Sequence, residues 1–140
     1  MANLKKNNNK KITNFSNQEL EEYPIFCFKY LTTNNKYNFE YFNIINEKNK
    51  AKCIIFDKLI ELQQKTWKQL VLERKNIGFE TLPNNQIRFS PNNLQMTKDT
   101  KILSFRLNSQ NWRLLGVRSE HFKSVLHIIG FDFDFSAYKH

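Results

Sequence analysis

Residues 101–140 constrain this chain most tightly. Three segments of alternating apolar character, Lys101 to Leu107, Asn111 to Arg118 and Phe122 to Phe133, are joined there by short polar connections. A period of two is the signature of strands, and the pattern predicts an antiparallel meander that runs directly into Tyr138, Lys139 and His140. Along its first strand Leu103, Phe105 and Leu107 share one face and Ile102, Ser104 and Arg106 the other. Along its last strand Val125, His127, Ile129, Phe131 and Phe133 alternate with Leu126, Ile128, Gly130, Asp132 and Asp134. Both faces are apolar at the centre of that strand, which predicts a central position with helices on one side.

Upstream, the signals are shorter. Residues 1–18 are rich in Asn and Lys and poor in apolar side chains, a composition that predicts a flexible leader before a single domain over 19–140. Ile25 to Leu31 reads as a first strand, and Tyr37 to Ile45, with Tyr37, Phe39 and Tyr41 alternating, as a second strand or hairpin arm. From Ala51 to Lys75 the period becomes helical, with Ile55, Phe56, Leu59, Ile60, Leu62, Trp67, Leu70 and Val71 on one side. Thr66 followed by Gln69 matches a capping box, so this region is either one long helix or two with a break near Lys65. Gly78 is expected to stop the helix, Thr81 to Asn85 to form a loop, and Ile87 to Phe89 a short strand. The sum is an α+β domain, a small antiparallel sheet of four to five strands packed against one or two helices.

Composition narrows the chemistry. The chain has 140 residues and thirteen Phe, enough to build a core without disulfides or metals. Cys27 and Cys53 form no C-x-x-C pattern, and with three scattered His they have no metal-ligand spacing, so neither a metal nor a cofactor is expected. No apolar run approaches the length of a membrane helix and the first residues lack the apolar centre of a secretory signal, which predicts a cytoplasmic protein without a membrane partner. The net charge is +9, and discounting Lys5, Lys6, Lys10 and Lys11 still leaves +5. Such an excess attracts a polyanion or an acidic protein, with nucleic acid the first candidate.

Candidate residues gather in the meander. Arg88, Arg106, Arg113 and Arg118 fall in or beside predicted strands, with Lys98, Lys101 and Lys123 in nearby loops. Arg113 has the parity of Leu115 and Val117, and Arg118 that of Trp112 and Leu114, so the two cannot point to one side of a regular strand. Exposed strand arginines also serve as edge protection. Cleaving RNA without a metal needs a base for the 2′-hydroxyl, a cation for the phosphate and an acid for the leaving oxygen. Tyr138 and His140 are candidates for proton transfer, with Arg113 and Arg118 for the phosphate. The competing account makes Tyr138 an ordinary packing anchor and leaves His140 frayed. Asp132 and Asp134 are too few for metal or glycoside chemistry.

Ile102-Leu103-Ser104-Phe105-Arg106-Leu107, Trp112-Arg113-Leu114-Leu115-Gly116-Val117-Arg118, Val125 through Asp132 and Tyr138-Lys139-His140, with the helix carrying Thr66 to Leu70, resemble the RelE/ParE/HigB toxin superfamily. The resemblance implies a compact α+β fold and, for its mRNA-cleaving branch, metal-independent endoribonuclease activity on messenger RNA, commonly in the ribosome. It also implies neutralisation by an acidic antitoxin. Arg113 and Arg118 would be the phosphate-binding cations and Tyr138 and His140 the closing aromatic and imidazole groups. Arg88, Lys98, Lys101, Arg106 and Lys123, read from their own places in and beside the strands, are the candidate RNA contacts. The segment through Ile45 is longer than the family's minimal domain, and the gyrase-inhibiting branch shares the fold without cleaving RNA. The alternative is a non-catalytic RNA- or protein-binding module on the same fold, using Tyr37 to Phe42 as its contact surface.

Overall fold

The structure, a computed structural model, describes residues 22–75, 77–107 and 111–140. The expected leader over 1–18 lies outside the described residues. Five strands, β1 (Ile25–Cys27), β2 (Glu80–Pro83), β3 (Lys101–Arg106), β4 (Arg113–Arg118) and β5 (Val125–Asp132), form one sheet in the order β1-β5-β4-β3-β2. Helices α1 (Ile45–Gln63) and α2 (Trp67–Leu72) pack on one face. The α+β class and the central β5 are as expected, but the sheet is mixed, because β1 joins β5 in parallel.

Each face has its own core. On the helical face Ala51, Ile55, Leu59 and Leu62 of α1 recur at helical spacing and meet Leu103, Phe105, Leu114, Leu126, Ile128 and Phe131. On the second face, which carries no α-helix among the described residues, Leu82, Ile102, Leu115, Val117 and Ile129 are covered by Tyr37, Phe89 and the closing pair Ala137 and Tyr138.

Several local expectations change. The break between helices is real: Thr66 accepts from the Gln69 amide at 3.2 Å while the Gln69 side chain accepts from the Thr66 amide at 2.8 Å. α2 ends at Leu72, well before Gly78. Gly78 instead lies where a Cβ would come within 2.6 Å of the Leu70 carbonyl oxygen. The Tyr37 to Ile45 segment is not a strand. Asn34 and Asn38 accept from the Lys36 and Glu40 amides, and these local bonds wind Asn35–Tyr37 and Phe39–Tyr41 into 3-10 turns. The strand expected at Ile87 to Phe89 is absent, whereas Glu80–Pro83, which overlaps the loop expected at Thr81 to Asn85, pairs with β3 as an edge strand that tolerates its Pro.

One irregularity positions the functional groups. Leu115 faces Gly130 and Gly116 faces Ile128, so Ile129 is an extra residue on β5. Beyond this bulge the alternation inverts: Phe131 and Phe133 join Leu126 and Ile128 in the helical-face core, and Asp132, opposite Arg113, turns to the second face. Gly130 allows the close approach this needs, since a Cβ there would lie 2.5 Å from the Phe89 ring.

Candidate functional site

The buried carboxylate of Asp132 organises the segment that follows β5. Its Oδ1 accepts from the amides of Asp134 (3.4 Å) and Ser136 (3.0 Å), and its Oδ2 from that of Ala137 (3.0 Å). These bonds hold Phe135 in the left-handed region at φ 63°, a strained conformation for a bulky residue. The chain then lies across the second face, where the Ala137 carbonyl accepts from the Arg88 amide at 2.8 Å.

Tyr138 is only 3% exposed. Its hydroxyl donates to Glu80 Oε1 at 2.6 Å and shares a 2.8 Å hydrogen bond with Ser104 Oγ. Burial, reinforced by the Glu80 carboxylate, pushes its pKa up to about 12. A phenol so held anchors the closing segment and keeps its proton near neutrality.

His140 is differently placed. Its ring stacks on Phe135 with centroids 3.5 Å apart and lies 4.1 Å from the Tyr138 ring. Nε2 faces Asp132 Oδ2 at 3.7 Å. Burial, then the Arg113 charge, lower its pKa against the opposing pull of Asp132, so the imidazole is biased towards its neutral form. The Arg113 guanidinium lies 5.2 Å from the Phe135 centroid. Arg113 is 5% exposed and donates through Nη1 to the Trp112 carbonyl at 3.0 Å. Across the β3–β4 ladder it stands directly opposite Arg106.

The structure thus brings Arg113, Tyr138 and His140 together, with half-buried Arg106 beside them, and separates Arg118 from the group. Arg118 occupies the other end of β4, about 16 Å away at ~3.3 Å per residue, and on the helical face. There its guanidinium lies 4.7 Å from the Trp67 ring and bonds the Lys123 carbonyl. The exposed Lys123 and Lys101 belong to that end, as does Lys98 in the adjoining turn, so the expected RNA-contacting cations divide between two ends of the sheet. Arg88 is exposed beside Ala137. The aromatic surface expected at Tyr37 to Phe42 is largely folded inward: Tyr37 is buried on Phe89, and Phe39 and Phe42 pack on Phe133.

The sequence pattern gives no sign of Glu80, Ser104 or Phe135 at this site, and it offers Asp132 only as half of a carboxylate pair too small for metal or glycoside chemistry. Glycines inside two predicted strands, Gly116 and Gly130, were the available sign of a bulge that would redirect Asp132. Near Arg118 a cavity of about 450 Å³ is lined by Tyr30, Met96, Asp99, Lys101, Glu120 and His127. Among the described residues, no three His, Cys, Asp or Glu side chains gather as a metal site, and no helix is long and apolar enough to cross a membrane. Compared with protein-family models, curated proteins and solved structures, the chain gives no match.

Proposed function

We propose that this chain is a metal-independent endoribonuclease of the RelE/ParE/HigB toxin type, acting on messenger RNA and held in check by an acidic antitoxin. The supporting observation is the Arg113–Phe135–His140 stack backed by Asp132. It sets a neutral-biased imidazole, oriented by a carboxylate, beside a cation. His140 takes the proton of a ribose 2′-hydroxyl and the 2′-oxygen attacks phosphorus. The bond to the 5′-oxygen breaks, and that oxygen leaves with a proton from water. The products are a 2′,3′-cyclic phosphate and a 5′-hydroxyl, and Arg113 stabilises the negative charge that builds on the phosphoryl oxygens. This reading assigns Tyr138 to holding the closing segment and Arg118 to packing.

Purified protein incubated with free messenger RNA in EDTA, or with ribosome-bound messenger RNA in a buffer that keeps the ribosome's Mg²⁺, should release cyclic-phosphate ends. His140→Ala should slow cleavage by about 10²–10⁴-fold and relieve growth arrest on expression. Undiminished cleavage by His140→Ala, or no cleavage by the wild type in either setting, would rule the reading out.

A further inference from the structure

We propose that Arg106 and Arg113 form one oxyanion site for a phosphate group, supplied on the reading above by the RNA phosphodiester. The two arginines are Cα partners on adjacent antiparallel strands. Arg106 has the parity of Ile102 and Ser104, and Arg113 that of Leu115, so both side chains lie on the second face. Like charges directly opposite in a ladder repel. Neither guanidinium has a carboxylate within ion-pair distance among the described residues. Of the acidic side chains on this face, Asp132 already accepts three backbone N–H groups and Glu80 accepts the Tyr138 hydroxyl. The Nε atoms of both arginines are buried without a hydrogen-bond partner.

A buried N–H left unpaired is costly, and two on adjacent cations more so. A tetrahedral oxyanion answers both faults together, because it neutralises the pair and offers several acceptors to planar, fork-shaped donors. Phe135 and His140 crowd the approach to Arg113, whereas Arg106 is half-exposed and leaves a way in. Arg106 therefore acts with Arg113 as a phosphate-binding residue, and the unliganded protein is destabilised by the pair that serves it.

Thermal melting in sodium phosphate against sodium chloride of equal ionic strength tests this directly. The wild type should gain about 4–6 °C at phosphate ten times above its dissociation constant. Arg106→Leu should melt higher than the wild type in chloride and keep only the small generic effect of phosphate. Arg106→Lys, which retains charge without the fork, should lose most of the gain. An unchanged phosphate gain in Arg106→Leu, or no gain in the wild type, overturns the site. Cleavage by the wild type in that event would leave the nuclease reading standing. A 2′-O-methyl oligonucleotide, which cannot be cleaved, separates the ligand sources. At least tenfold weaker binding by Arg106→Leu assigns the site to RNA, whereas unchanged binding beside a lost phosphate gain rejects RNA as its ligand.

Discussion

Tyr138 and His140 lie two residues apart, and both are shifted towards the uncharged form. The Tyr138 phenol has an ordinary pKa of 10.0 and is pushed up to about 12 by burial and by Glu80. A folded-state pKa above the unfolded one contributes stability that is complete below pH 10 and is lost as pH rises through 12; the amount is ~2–3 kcal/mol. Tyr138→Phe should therefore be about 1–2 kcal/mol less stable at neutral pH but lose less stability than the wild type between pH 10 and 12. Parallel urea midpoints for the two proteins over that window would contradict the buried, carboxylate-bonded phenol. His140 has the opposite sign: its pKa lies below the usual histidine value, so its contribution is present above that value and fades on acidification. Arg113 and its face could be read from the sequence because strand periodicity places it, whereas Tyr138 and His140 reach it through the turn that Asp132 holds. Their partners could not be read, since Glu80 and Ser104 reach Tyr138 only through the pairing of β2 with β3 and the path of the closing segment. The parity conflict between Arg113 and Arg118 was already visible, and it is where the expected quartet fails.

At the scale of elements, α2 is six residues long, too short to persist by propensity alone. The Thr66–Gln69 box and the burial of Trp67 and Leu70 maintain it. Thr66→Ala should cost about 1 kcal/mol, visible as a lower urea midpoint and faster hydrogen exchange at the Gln69 amide. Unchanged exchange there would mean that packing alone fixes the helix start. The box was legible because its four-residue signature is local. The 3-10 turns at Asn35–Tyr37 and Phe39–Tyr41 were misread for a related reason: the aromatic alternation imitates a strand, while the asparagines that wind the backbone stand between the rings. The bulge at Ile129 inverted half of β5, and only Gly116 and Gly130 hinted at it.

For the whole molecule, the charge of +9 makes the proposed binding of RNA a matter of counterion release. With about four phosphate contacts, binding should weaken by on the order of 50-fold between 50 and 200 mM salt, measured by titration of the uncleavable oligonucleotide. A flat response would argue against contact through the phosphate backbone. The α+β class was legible because periodicities of two and 3.6 are properties of contiguous residues, whereas the place of β1 was not. Ile25 pairs with Val125 and Cys27 with His127, a hundred positions later in the chain. That span fixes an order of events during synthesis. The hairpins of the meander close over short loops, but the first strand has no ladder to join until Val125 to His127 have left the ribosomal tunnel, so β1 cannot pair until a further hundred residues have been made.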